Sequence, residues 1–152
     1  MPAATKPRPL NHSEYIALAE FRYQLRKYLR HMEENARAKG HHHQQYQLLL
    51  AIKGLPAPGL PTVATLAERM QMNHNSIVEL ADRAEKRGLI RRVRASVADR
   101  RKVILAITHA GERVLKQQAS ASRHELLTIG PVLVETLQRL IRKSQQTKKM
   151  RA

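Results

Sequence analysis

The sequence predicts a mostly α fold with one β-hairpin: a winged helix-turn-helix held between N- and C-terminal dimerisation helices. Three observations lead there. Two short apolar helices, starting near Thr62 and near Asn73 or Asn75, are separated only by the turn 71–73. Two stretches rich in β-branched and large aliphatic residues, 89–93 and 103–107, follow with a polar loop between them. Long helical stretches flank this unit, with apolar faces wider than one small domain can cover.

The elements follow in chain order. Residues 1–10 form a flexible tail, with three prolines in 1–9 and no apolar run of the kind a signal peptide needs. Residues 11–39 read as one long helix. Asn11 caps it with Glu14 as the reciprocal partner of a capping box, Leu18, Phe21, Leu25, Tyr28, Leu29, Met32 and Ala36 share a face, and Gly40 stops it. The first dimerisation segment is therefore set at 11–43. A shorter helix over 43–53 turns Tyr46, Leu49 and Leu50 inward and ends at Gly54. The stretch 54–61 holds three prolines and two glycines and is a connector.

Thr62 caps the next helix, whose apolar residues Val63, Leu66, Ala67 and Met70 fall at i, i+3, i+4 and i+7. The helix after the turn repeats that spacing with Ile77, Leu80, Ala81 and Ala84, and Gly88 ends it. Two such helices with so brief a turn make a helix-turn-helix. The hairpin after it, with loop 94–101, is the wing, which closes a winged domain over 44–108. Thr108 or His109 opens a further helix. Gly130-Pro131 interrupts it and a last helix covers 131–143, so the C-terminal dimerisation helices occupy 109–146, ahead of a basic tail, 147–152.

The charge points to the partner. Lys and Arg number 28 against 12 acidic residues, a formal +16 with a pI near 11.1. Such an excess selects a polyanion. The aromatic residues, one Phe and four Tyr, all lie in the first third of the chain, away from the densest basic stretch. Single-strand binders stack bases on aromatics inside the basic groove, so duplex is favoured. Between Arg83 and Lys102 there are nine basic residues against two acidic ones, a net +7. That cluster coincides with the second helix and the wing, where phosphate contacts need cations on one face.

The helix that starts at His74 reads bases with its first turns. Asn75, Ser76, Val78 and Glu79 are the candidate base-reading residues, and His74, at the very start of the helix, reaches either a base or a phosphate. Asn pairs with adenine, Glu accepts from cytosine N4, and Val meets a thymine methyl. Plain surface or capping is the competing use of Asn75 and Ser76. Arg83, Lys86, Arg94, Arg100 and Lys102 are candidate phosphate contacts. Arginines at a hairpin tip suit a narrow minor groove. Asp99 beside Arg100 and Arg101 either pairs with an arginine or forms the turn.

Several blocks of the chain, Leu66-Ala67-Glu68-Arg69-Met70, residues 76–90, Asp99-Arg100-Arg101, and Leu105-Ala106-Ile107-Thr108 through Gly111, resemble the MarR family of bacterial transcriptional regulators over roughly 45–115. The resemblance implies a triangular homodimer with interlocked terminal helices. It implies that Arg101 enters the minor groove, braced by Asp99. It implies repression relieved by a small aromatic anion bound between the helical and DNA-binding parts. Arg22, Arg26, His42, His43 and Tyr46 are the candidate ligand residues, cations beside aromatic surface. The chain has no cysteine, so a thiol-oxidation switch is excluded. Glu79 stands where many members carry a basic or small residue, which leaves the target sequence open.

The expected partners are thus a palindromic double-stranded operator, a second copy of the chain and a small aromatic anion, with no membrane, no cofactor and a cytoplasmic location. No metal site is expected: the consecutive His41, His42 and His43 point in different directions on or before a helix. No glycine-rich phosphate loop, nucleophile elbow or paired carboxylates mark an enzyme. The competing class is an architectural or general nucleic-acid-binding winged helix without effector, which would lack a large specificity ratio.

Overall fold

The computed structural model describes residues 9–96 and 101–149. The element order is α1 (His12–Ala38), α2 (His43–Lys53), α3 (Val63–Met70), α4 (His74–Lys86), β1 (Ile90–Arg94), β2 (Val103–Ile107) and α5 (His109–Lys149). The chain divides into two compact units, 32–124 and the described parts of 1–31 with 125–152. No helix among the described residues is long and apolar enough to cross a membrane.

The 32–124 unit is built around one core. Leu48 and Leu49 of α2, Leu66 of α3, Ile77, Leu80, Ala81 and Ala84 of α4, Ile90 and Leu105 of the hairpin and Leu115 of α5 bury together. The i, i+3, i+4, i+7 spacing in α4 places its four apolar residues on one stripe, and all four are buried. In α2 the inward set differs from the sequence reading. Leu48 is fully buried, whereas Leu50 is 46% exposed. Each position turns about 100° on a helix, so a core reached by Leu48 and Leu49 leaves Leu50 outside.

The ends of the helices are set by local chemistry. The Thr65 amide donates to Thr62 Oγ1 at 3.2 Å, and the Ser76 amide to Asn73 Oδ1 at 2.8 Å, so Asn73, and not Asn75, is the cap. At the other end of α4, Gly88 takes φ +70°, the Leu89 amide donates to the Ala84 carbonyl and the Gly88 amide to that of Glu85. This pair of bonds is a Schellman closure, and glycine adopts its left-handed residue without Cβ strain.

The strands pair antiparallel with Ile90 opposite Ile107, Arg92 opposite Leu105 and Arg94 opposite Val103. The connector supports them: the Leu105 amide donates to the Pro61 carbonyl at 2.9 Å. Thr108 joins hairpin to α5. Its hydroxyl donates to the Gly88 carbonyl at 2.5 Å and accepts from the Gly111 amide at 3.1 Å. A Cβ on Gly111 would lie 2.1 Å from the Leu89 carbonyl oxygen and 2.7 Å from Ile107 Cγ2, so only glycine allows this approach.

The other unit consists of the first part of α1 and the later part of α5. The capping box is formed: the Glu14 amide donates to Asn11 Oδ1 at 3.0 Å and the Asn11 amide to Glu14 Oε2 at 2.9 Å. α5 runs unbroken through Gly130 and Pro131, contrary to the interruption expected there. Gly130 is not among the positive-φ residues, so no left-handed stop forms. Proline forfeits one backbone hydrogen bond, and regular helix on both sides of it outweighs that loss. Downstream, Thr136 Oγ1 donates back to the carbonyls of Val132 and Leu133 at 3.0 Å.

Candidate nucleic-acid interface

The surface begins at the turn between α3 and α4. Gln71 adopts φ 52° and ψ 43°, its amide bonds the Glu68 carbonyl at 3.1 Å, and the Met72 amide bonds that of Ala67 at 3.0 Å. A non-glycine residue in the left-handed region carries some strain, and the Gln71 side chain offsets part of it by donating to the Glu68 carbonyl at 2.7 Å. The chain thereby reverses in three residues and points the capped N-terminus of α4 away from the core.

With Ile77, Leu80, Ala81 and Ala84 buried, α4 exposes His74, Asn75, Glu79, Asp82, Arg83 and Lys86, with Ser76 and Val78 half-buried. The anticipated reading residues thus occupy the free N-terminal turns. Ser76 has its backbone amide engaged in the cap. Glu79 is not isolated: its Oε2 lies 4.0 Å from Arg83 Nη1 one turn later. At that exposure such a pair is worth little and yields readily to a base or phosphate.

On the wing, Arg91, Arg94, Arg101 and Lys102 are exposed. Asp99 and Arg100 lie outside the described residues. Arg92 behaves differently from its neighbours. Strand alternation puts it on the face of Ile90 and Leu105, which are buried. There its Nη2 donates to Asp82 Oδ1 at 2.6 Å, its Nη1 to Glu85 Oε2, and its backbone amide to Glu85 Oε1 at 3.2 Å. Burial works to lower the guanidinium pKa. The Asp82 hydrogen bond and the Glu85 charge outweigh that and hold it above an arginine's ordinary value. This brace between wing and helix was not among the expected site features. The signal for it was an arginine at a core-facing strand position, with acids at 82 and 85 on the preceding helix.

A second feature lies at the corner between α1 and α2. Glu33, Arg37, His41, His42, His43 and Gln44 line an open groove of about 420 Å³. His41 Nε2 is 3.3 Å from Gln117 Oε1, and His43 Nε2 is 2.8 Å from Gln47 Nε2. His43 Nδ1 is buried with no hydrogen-bond partner among the described residues. Of the five side chains expected to bind a ligand, His42 and His43 meet here, and the buried Tyr46 ring lies 6.5 Å from that of His43. Arg22 and Arg26 are exposed on the part of α1 that belongs to the other unit. Arg37, which composition alone does not single out, supplies the cation. Among the described residues, no three His, Asp or Glu converge on a metal position.

A capped, outward-facing second helix beside a cationic hairpin defines a winged helix-turn-helix protein. Residues 40–102 match the model of the MarR family, and this winged segment belongs to that family. The fold is similar to that of AbsC, a MarR family transcriptional regulator from Streptomyces coelicolor (18% identity, 95% of this chain and 97% of that one, TM-score 0.72). It is similar to a point mutant of Staphylococcus aureus MepR bound to an oligodeoxyribonucleotide (19% identity, 93% and 97%, TM-score 0.58). It is also similar to Rhodococcus jostii CouR bound to p-coumaroyl-CoA (22% identity, 80% and 82%, TM-score 0.62). At these identities the likeness is one of fold. Comparison with curated protein sequences gives no match.

Proposed function

We propose that this chain is a sequence-specific double-stranded DNA-binding regulator that represses transcription in the cytoplasm as a homodimer. The observation that carries the reading is the free, capped N-terminal half of α4 set beside a wing bearing Arg91, Arg94, Arg101 and Lys102. In this reading His74, Asn75, Ser76, Val78 and Glu79 face base edges in the major groove. Arg83, Lys86, Arg94, Arg100 and Lys102 meet phosphates, and Arg101, oriented by Asp99, enters the minor groove. The MepR mutant bound to DNA supports this use of the fold.

The homodimer reading rests on the two-helix unit, where Tyr15, Tyr23, Leu126, Leu127, Val134 and Ile141 are exposed. A second copy covers such a face, and two-fold symmetry then requires a palindromic operator with half-sites about one helical turn apart. Selection from random-sequence duplexes with the full chain tests this. A palindrome bound about 10³-fold or more above random duplex is expected. Equal affinity for all duplexes would instead favour an architectural protein, the reading that the formal +16 keeps in view.

A small aromatic anion is the proposed effector, held in the groove of Arg37, His42 and His43, with CouR as the precedent for a ligand on this fold. A thermal-shift screen of benzoates and phenols, followed by DNA competition at constant ionic strength, checks it. Constant salt matters because counterion competition alone releases DNA from so basic a protein. A compound that raises the melting temperature and weakens operator binding beyond the salt control is the expected result.

A further inference from the structure

On the reading just given, α4 and the wing contact one duplex at the same time, and we infer that Arg92 is the positioning residue that holds them at a fixed angle. It acts as a latch between recognition helix and wing and makes no contact of its own with DNA.

The geometry is that of a three-point attachment. The Arg92 backbone amide reaches Glu85 Oε1 at 3.2 Å, Nη1 reaches Glu85 Oε2, and Nη2 reaches Asp82 Oδ1 at 2.6 Å. Asp82 and Glu85 are three residues apart and so neighbour each other on the helix surface facing β1. One guanidinium spans both, which a lysine's single ammonium cannot do with the same fork geometry. The backbone bond ties the strand itself, so the latch fixes main chain as well as side chain.

The wing needs such a tie. A two-stranded hairpin is marginally stable alone. Ile90 anchors its base in the core and Leu105, opposite Arg92, anchors the middle of β2, but Val103 at the outer end is 43% exposed and Arg94 opposite it is exposed too. Arg92 ties the middle of β1 to α4, between that anchored base and the exposed outer end. Without it, arginines beyond it swing relative to α4, and each angle costs order when major and minor grooves are engaged together.

Arg92 has a second effect that must be separated from the first. It offsets one of the two negative charges of Asp82 and Glu85, carboxylates on the helix that approaches phosphates. The full chain carries no cysteine, so spin labels placed through Lys86→Cys on α4 and Val103→Cys on the wing report the angle without DNA. Two substitutions remove the side-chain arms of the latch and leave only the backbone bond to residue 85: Arg92→Ala, and the uncharged triple Arg92→Ala, Asp82→Asn, Glu85→Gln. In both, the distance distribution should broaden. Arg92→Lys, which keeps charge and the aliphatic stem, should be intermediate and guards against simple misfolding.

On the duplex that the unmodified protein selects, Arg92→Ala should lower affinity about tenfold, because the wing must then be ordered on binding and the carboxylates of Asp82 and Glu85 are left uncompensated near phosphates. It should also lose hydroxyl-radical protection under the wing while guanine N7 protection under α4 persists. The triple variant should recover affinity in part but not wing protection. A distribution that stays narrow in both latch-breaking variants overturns the inference. So does wing protection restored by the triple variant, which would leave Arg92 a charge balance only. If the unmodified protein selects no duplex while its labels report a narrow distance that Arg92→Ala broadens, the DNA reading falls and the latch stands.

Discussion

The two units of this chain treat their apolar residues in opposite ways. In the 32–124 unit, Leu48, Leu49, Leu66, Ile77, Leu80, Ile90 and Leu105 are almost wholly removed from solvent. In the two-helix unit, helices of similar spacing leave Leu127 67% and Tyr15 57% exposed. The winged unit closes three helices, a hairpin and the first turns of α5 around one centre, so every stripe meets another. Two helices cannot enclose a stripe on their own, and apolar side chains such as Leu127 and Tyr15 stay open to solvent. The first unit is complete within one chain, and the second is built for a second copy on the homodimer reading.

The largest expected effect tests that second copy. Leu127→Glu with Val134→Glu puts four charges into a symmetric interface, where each apolar side chain is worth about 1.5–3 kcal/mol when buried. Light scattering should then return the 17.4 kDa chain mass instead of twice that value. A species that stays double would place the contact elsewhere.

Next, Leu80→Ala should cost about 2–5 kcal/mol of stability, read by denaturant unfolding, because the surrounding core cannot collapse onto the cavity. Leu127→Ala, measured at a dilution where the dimer is apart, should stay within about 0.5 kcal/mol of the unmodified chain. Equal costs at the two sites would erase the distinction between the units.

Arg101→Ala should leave both mass and melting temperature alone and weaken operator binding by about 1–3 kcal/mol in a mobility-shift titration at fixed salt. Unchanged affinity would remove the wing from the interface. Asn73→Ala lies on the same unit but acts through the fold. Loss of the bond to the Ser76 amide should cost about 1 kcal/mol and fray the reading end of α4. The smallest effect belongs to the two-helix unit: Glu135→Ala breaks an exposed pair with Arg139 and should change stability by about 0.5 kcal/mol or less.

Local elements were read closely from the sequence because their causes lie within a few residues. The Asn11–Glu14 capping box, the Thr62 cap and the Gly88 stop form bonds between groups at most five positions apart. The apolar stripe of α4 needs only the helical period. Where the reading failed, two local tendencies competed. Gly130-Pro131 looks like a stop in isolation, yet regular helix on both sides carries α5 through it. Leu50 differs from Leu48 by nothing local, and only the direction of the core separates them.

For the candidate site the division is similar. The helix-turn-helix, the exposed residues from His74 to Lys86 and the cationic hairpin are legible in the string of residues, since period and charge count are properties of the string. Tertiary structure decided what those charges do. It turned Arg92 from one of nine cations into a bond between β1 and α4, bringing Asp82 and Glu85 to a residue ten and seven positions away. It brought Arg37 beside His42 and His43 by closing the corner at Gly40. The physical reason is range. A cap or a stripe is satisfied inside one turn of chain, whereas an ion pair or a groove exists only once packing has fixed which faces meet.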